Sequence, residues 1–330
     1  MDIHRSRFVP YPSSAINALA FSHTEPDHGH QDPESLRLAI GRANGNIEIW
    51  NPKHGAWLQE KVFYGGKDRS VEGLAWTQEP DQKNAHGKLI PGRLRLFSIG
   101  YSSSVTEWDL ATGLPARHSN GNHSEVWCFA AQPRQKTTGP GSVEGGSAYQ
   151  KLVAGCADGT IVLLSTEDDD LTFHRFVSRA TNKKARALSI AFKDRDTVLA
   201  GFADSIIRVF DTRNGNVIRN ISLGSGPHGG PREILVWKVK CLSNGDFVSG
   251  DSTGEASPMY ESYEIPGLTS RLPVCRSGFT AARTTVRRRE SLATKRTFLI
   301  LRYHATARAS SAQAWTAAYA STPAGSQQPN

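Results

Sequence analysis

Lys151-Leu-Val-Ala-Gly-Cys-Ala-Asp-Gly-Thr-Ile-Val-Leu-Leu164 reads as strand, tight turn, strand. Asp158-Gly159 supplies the positive φ that a two-residue hairpin turn demands. An apolar stretch at residues 125–131 precedes this pair, and a more polar one at 172–177 follows it. The pattern predicts four consecutive short antiparallel strands.

The same unit recurs. First strands are expected at 15–21, 71–76, 125–131, 186–192 and 234–240. Second strands end at Gly41, Gly100, Gly155, Gly201 and Gly250, and turns follow, as at Asn44-Gly45 and Asp204-Ser205. Third strands end in an aromatic residue before Asn or Asp at Trp50-Asn51, Trp108-Asp109 and Phe210-Asp211. Four strands repeated every 46–61 residues predict an all-β β-propeller fold, with about four and a half blades in residues 1–255 and an incomplete ring. The insertions 23–35, 77–93 and 132–150 all join first strands to second strands. They are expected to be mobile loops on one rim.

These glycine-ended strands and aromatic–Asp endings resemble the WD40 family in a degenerate form, with Gly121-Asn-His123 nearest to its Gly-His signature. Within that family, His4-Arg-Ser-Arg-Phe-Val-Pro-Tyr11 and Ala15-Ile-Asn-Ala-Leu-Ala-Phe21 resemble the opening of cirhin-type proteins. So do Gln59-Glu-Lys-Val-Phe63, Val71-Glu-Gly-Leu-Ala-Trp76, Ile234-Leu-Val-Trp237 and Leu242-Ser-Asn-Gly-Asp246. The resemblance covers residues 4–255. It implies a non-enzymatic scaffold subunit of the small-subunit processome, the nucleolar assembly on nascent pre-ribosomal RNA. Other processome subunits would be its protein partners, and its work would lie in pre-rRNA processing, with a tie to ribosomal RNA transcription. It further implies that residues 5–11 form the outer strand of the last blade. A general WD40 adaptor, such as a ubiquitin-ligase substrate receptor, stays open as the alternative.

The net charge of +8 is unevenly placed. Residues 256–330 hold ten Lys/Arg against three Glu, whereas residues 1–255 hold 29 Lys/Arg against 28 Asp/Glu. The basic character therefore describes the tail and not the repeats. In the tail the alternation stops, Arg outnumbers Lys nine to one, and Asp is absent. The expectation is a disordered or out-of-frame segment after residue 255, replacing the strand that should end in Trp-Asp. An arc with two uncovered sheet faces is expected to be a poor monomer. Nothing approaches the roughly 18 apolar residues of a transmembrane helix. The charged start Met1-Asp-Ile-His-Arg-Ser-Arg7 lacks the apolar region of a signal peptide. Four cysteines without a CxxC pair predict neither a zinc site nor a disulfide framework, and fit a reducing compartment such as the nucleus.

Several motifs mimic chemistry. Gly250-Asp-Ser-Thr-Gly254 matches a nucleophile elbow, but it occupies a repeat's hairpin position and is expected to be a turn. Gly224-Ser-Gly-Pro-His-Gly229 matches a phosphate loop, yet Gly230-Pro231 continues the loop where a helix is needed. Asp168–Asp170 and the pair His28 and His30 lack the further ligands of a metal site. No catalytic residue, cofactor or metal is expected. Trp76, Trp108 and Trp127 are assigned to the core.

The candidate contacts are cationic. Arg179, Lys183, Lys184 and Arg186 lie between the fourth strand of one unit and the first of the next; Lys67, Arg69 and Arg232 occupy the matching connections. These connections should share a rim with the short hairpin turns. They would form a positive arc able to pair with the backbone of pre-rRNA or small nucleolar RNA, or with a protein partner. No aromatic stacking platform is evident beside them, so sequence-specific single-strand reading is not expected.

Overall fold

A computed structural model of the chain describes residues 14–22, 36–53, 56–66, 70–83, 85–87, 89–119, 124–135, 148–167, 171–179, 185–226, 233–242, 245–254 and 256–259. The first sheet runs β1 (Ile16–Phe21), β2 (Leu38–Arg42), β3 (Ile47–Lys53) and β4 (Ala56–Phe63). The second begins with β5 (Gly73–Gln78) and is interrupted by a small pair, β6 (Gln82–Lys83) and β7 (Leu89–Ile90). It resumes with β8 (Leu94–Ile99), β9 (Thr106–Trp108) and β10 (Pro115–His118). The third comprises β11 (Val126–Ala131), β12 (Leu152–Cys156), β13 (Ile161–Leu164) and β14 (Phe173–Ser178). The fourth comprises β15 (Ala187–Phe192), β16 (Thr197–Phe202), β17 (Ile206–Asp211) and β18 (Val217–Ser222). The fifth has three strands, β19 (Val236–Cys241), β20 (Phe247–Asp251) and β21 (Ala256–Met259).

Each sheet is an antiparallel meander packed face to face on the next. Inner strands β1, β5, β11, β15 and β19 touch in chain order, and the ring is not closed. The fold is an all-β, WD40-type propeller arc, as the repeat predicts. In the third sheet the middle strands are covered on both faces and apolar throughout; every residue of β12 and β13 is buried. Outer strands face solvent, and β18 has only Ile221 partly covered. Four cores lie between successive sheets. Phe63, Leu96 and Trp108 centre the first, Phe97 and Leu152 the second, and Val153, Phe192 and Phe210 the third. The fourth is smaller, built on Ile207, Val236 and Val239.

The glycines that end the second strands are close-approach positions. A Cβ at Gly41 would lie 2.5 Å from Val71 Cγ1. At Gly155 it would lie 2.7 Å from Cys128 Sγ and 2.9 Å from Ala187 Cβ. At Gly201 it would lie 2.6 Å from Ser189 Oγ and 2.8 Å from Val236 Cβ. Val71, Ala187 and Val236 open the next sheet, so each glycine makes a hollow that the following sheet fills. A bulge recurs between Ile16 and Ala18, Val126 and Cys128, Ala187 and Ser189, and Val236 and Lys238. The extra residue bends the inner strand and re-aims the side chain before it toward the preceding sheet. One turn departs from glycine: Ser205 has φ 64°, and its Oγ accepts from Ile234 N at 2.6 Å. That bond ties the turn to the next sheet and offsets the backbone strain.

Two charged pairs are sealed inside. Arg95 donates Nε and Nη2 to the two carboxylate oxygens of Glu107, both at 2.7 Å, and Nη1 to Thr166 O at 2.5 Å. The last bond spans from the second sheet to the loop after β13. Arg42 and Glu48 pair similarly in the first sheet, with Trp50 Nε1 donating to Glu48 at 3.0 Å. The forked, charge-assisted Arg95–Glu107 pair belongs to the strong class.

Two expectations need revision. The insertion 77–93 is not simply a mobile loop. Its ends belong to β5 and to Glu79 N donating to Arg93 O at 2.9 Å, and β6 pairs with β7 inside it. Asp81 in this insertion bonds Arg134 Nη2 at 3.0 Å, so the bases of two insertions share one rim as expected. The fifth unit does not break at residue 255, because β21 pairs with β20 through Met259. Among the described residues β21 is the sheet edge, a position that tolerates Pro258 because no described strand requires an N–H there. The outer strand expected at 5–11, the insertion 23–35 and residues 260–330 of the tail lie outside the described residues. No helix among the described residues is long and apolar enough to cross a membrane.

Cys128 and Cys156 are buried in β11 and β12, and Cys241 is half-buried in β19. Burial pushes the Cys128 and Cys156 thiols up to about 12 and Cys241 to about 11. At pH 8 these groups are protonated and unreactive. Native protein is expected to leave Cys128 and Cys156 unmodified by iodoacetamide while denatured chain is alkylated, as read by peptide mass spectrometry. Equal labelling in both states would contradict this packing.

Candidate functional site

The hairpin turns and the inter-sheet connections meet on one rim. Ala43 N donates to Ala15 O, Ala157 N to Glu125 O, Ala203 N to Arg186 O and Ser252 N to Leu235 O, at 2.8–3.0 Å. The turn between second and third strands is thereby stitched to the residue entering its own inner strand. The described ends of the inter-sheet connections, at Ala15, Glu125, Arg186 and Leu235, therefore lie beside those turns.

Of the seven cations singled out from the sequence, Arg179 and Arg186 can be placed. Lys67, Arg69, Lys183, Lys184 and Arg232 lie outside the described residues. Both placed arginines are exposed. Arg186 lies over the ring of Trp127, its guanidinium carbon 4.0 Å from the centroid, and Arg179 lies 5.1 Å over Phe176. A ring face beneath a guanidinium adds about 0.5–1 kcal/mol at an exposed site. Trp127 is therefore not a core residue. It is half-buried, with Tyr101 edge-on to it at 6.5 Å. Trp76 and Trp108 are buried as expected. Aromatic rings do lie beside the basic loops, Trp127 beneath Arg186 and Phe176 beneath Arg179.

The reason lies in the bulge. Val126 and Cys128 are buried and Trp127 is the extra, unpaired residue between them, so its ring is only half-buried. Trp237 stands at the matching register of β19, beside buried Val236, and is 42% exposed. Leu188 is their counterpart in β15. A cleft of about 320 Å³ opens at this mouth. Arg186, Leu188, Asp204, Glu233, Leu235 and Trp237 line it. Arg208 neutralises Asp204 through bonds of 2.5 and 3.2 Å. A cleft with cation, carboxylate and exposed indole suits recognition of an extended segment. No signal for this stood in the sequence, because the bulge that sets Trp127 and Trp237 apart shows only in the pairing of inner and second strands.

Sites that mimic catalysis resolve into turns. Ser252 Oγ accepts from Leu235 N at 3.0 Å, and Thr253 N donates to Asp251 at 2.8 Å. That is hairpin geometry, without the helix of a nucleophile elbow. Asp168–Asp170, His28 and His30 lie outside the described residues. Among the described residues no group of three or more His, Cys, Asp or Glu is placed to hold a metal ion.

Comparison with known proteins settles the relationship. The chain is 39% identical over 258 residues to U3 small nucleolar RNA-associated protein 4 of Schizosaccharomyces pombe, and 40% identical over 262 residues to that of Saccharomyces cerevisiae. The human homologue is 30% identical over 254 residues. Each match covers 77% of this chain. The repeat region is a relative of the cirhin-type WD40 proteins. The chain spans about a third of the length of these curated relatives, 30–32%. No family model matches. Among solved structures, the β-propeller domain of Cps50 (Swd1) from Myceliophteria thermophila superimposes with a TM-score of 0.49 at 14% identity, covering 72% of this chain and 67% of that one.

Proposed function

We propose that this repeat region is a non-enzymatic scaffold segment of the small-subunit processome, working in ribosome biogenesis within the nucleolus. The observation that carries this reading is the 39–40% identity, across 77% of the chain, to proteins named for association with U3 small nucleolar RNA. The physical role is rigid presentation. Sheets locked by buried cores hold turns and loops on two rims, and several partners can read those rims at once. Pre-rRNA processing, and a tie to ribosomal RNA transcription, are the expected settings.

On the rim of short turns, Arg179 and Arg186 face RNA phosphates, together with Lys67, Arg69, Lys183, Lys184 and Arg232. The Arg186–Trp127 stack adds a flat surface for a base or a partner side chain. The tagged chain expressed in cells should co-purify U3 RNA well above unrelated abundant RNAs; recovery at background level would reject the assignment. Changing Arg179, Lys183 and Lys184 together to Ala should weaken RNA crosslinking. In purified samples it should lower the log–log salt slope of RNA binding by about 0.7 for each phosphate no longer neutralised. An unchanged slope removes this rim from RNA binding while leaving the processome reading standing.

A further inference from the structure

One position is an acid or its amide in three sheets and a serine in the other. Register fixes the match: Leu38 pairs with Trp50, Leu96 with Trp108, Leu152 with Leu164 and Val198 with Phe210. The residues that follow are Asn51, Asp109, Ser165 and Asp211. Asp109 Oδ1 accepts from Ala111 N at 2.9 Å, and Asp211 Oδ1 accepts from Arg213 N at 2.8 Å. Ser165 Oγ accepts from the equivalent donor, Glu167 N, at 3.2 Å. The Thr112 hydroxyl and Ala111 N hold the Asp109 carboxyl below the usual carboxylate range, and the Arg213 guanidinium and backbone N do the same for Asp211. The turn after the third strand thus receives an anion in two sheets, and Ser165 leaves the third one neutral.

The third turn differs in two further ways. Four residues separate Asp109 from Leu114 and Asp211 from Asn216, whose carbonyls close those turns, whereas six separate Ser165 from Thr172, which closes its own. The sequence there is Ser165-Thr-Glu-Asp-Asp-Asp170. A hydroxyl followed by successive carboxylates is the charge pattern that a protein kinase with a basic substrate groove selects. Thr166 is not the acceptor, because it is 2% exposed and its Oγ1 donates to Gln150 O at 2.5 Å. Ser165 is half-buried, and among the described residues its hydroxyl acts only as an acceptor. Continuing the register of Leu152 and Leu164 by one residue sets Lys151 across from Ser165, with His174 Nε2 3.2 Å from Lys151 Nζ. A cation across the pair offsets part of the repulsion between an added phosphate and the acidic run.

We propose that Ser165 is phosphorylated by an acid-directed protein kinase, the phosphate taking the place in the third turn that Asp109 and Asp211 fill in theirs. Ser165 Oγ attacks the γ-phosphorus of magnesium ATP. The new O–P bond forms as the bond to the bridging β–γ oxygen breaks, ADP leaves, and the hydroxyl proton passes to the kinase's base. The product adds about −1.5 to −2 charge beside Gln150, at the base of an insertion.

The test is phosphopeptide mass spectrometry on the full tagged chain expressed in eukaryotic cells, with and without an inhibitor of acid-directed kinases. The tryptic peptide of residues 152–175 should carry a phosphate on Ser165, and the inhibitor should remove most of it. Ser165→Ala should lose that phosphate without gaining one on Thr166. Ser165→Asp supplies the carboxylate of the other turns and should unfold in urea no lower than wild type. An unmodified Ser165, a phosphate carried by Thr166 instead, or an occupancy untouched by the inhibitor overturns the proposal. So does a Ser165→Asp midpoint below wild type, because the turn would then reject an anion.

Discussion

Glu107→Ala is expected to lower unfolding free energy by about 3–5 kcal/mol, because it leaves a buried guanidinium without its counter-charge. The Arg95 and Glu107 side chains are 4% and 5% exposed, so water cannot replace the missing carboxylate. Arg117 reaches Glu107 only at 3.4 Å from a more exposed position, so it adds little to the pair. The Thr166 carbonyl remains as acceptor for Arg95, but one neutral oxygen does not balance the charge. The comparison is Arg93→Ala. Arg93 pairs with Glu79 at 2.9 Å, yet its side chain is 66% exposed. An exposed pair contributes about 0–1 kcal/mol. Urea midpoints followed by tryptophan fluorescence separate the two cases. Replacing both members, with Arg95→Met and Glu107→Leu, should recover most of the stability, since an apolar pair needs no counter-charge. Equal midpoints for Glu107→Ala and Arg93→Ala would show that the inner pair does not hold the second sheet to the third.

Gly201→Val should be the second large effect. A single Cβ there already falls inside contact distance of Ser189 Oγ and Val236 Cβ, at 2.6 and 2.8 Å. Valine adds two more methyl groups, and neither neighbour can retreat. Val236 is fully buried and Ser189 Oγ is bonded to its carbonyl. Overpacking of this kind costs about 1–3 kcal/mol, and the fourth and fifth sheets must also separate. Gly250→Val occupies the same register one unit later, where no described atom lies within 4 Å of the added Cβ. It should stay within about 0.5 kcal/mol of wild type, helped by the preference of valine for strands. Thermal unfolding and limited proteolysis near residue 233 read the difference. Comparable destabilisation at both glycines would falsify the close-approach account.

Much of the propeller was legible because strand periodicity is local. Asp158-Gly159 and Asn44-Gly45 declare their turns, and the continuous apolar runs of β12 and β13 declare strands covered on both faces. What stayed hidden depended on the third dimension. The bulge that leaves Trp127 unpaired between Val126 and Cys128 shows only once β11 is paired with β12. Arg95 and Glu107 read as solvent-facing charges until a hairpin pairs them across β8 and β9. β21 was hidden because Pro258 discourages a strand and no Trp-Asp ending marks it; only its edge position makes the proline acceptable. Of the seven cations only Arg179 and Arg186 are among the described residues, and the rings beneath them required the fold.

The hollows at Gly41, Gly155 and Gly201 have a directional consequence. Each is filled by a residue that lies later in the chain: Val71, Ala187 and Val236. Chains emerge from the ribosome N-terminus first. Every blade therefore leaves the exit tunnel with one face unfinished, and its successor, the next stretch of chain to be synthesised, completes it. Assembly is written into translation order, so a pause between blades prolongs the life of a naked sheet, and a chaperone that shields one sheet at a time would be enough.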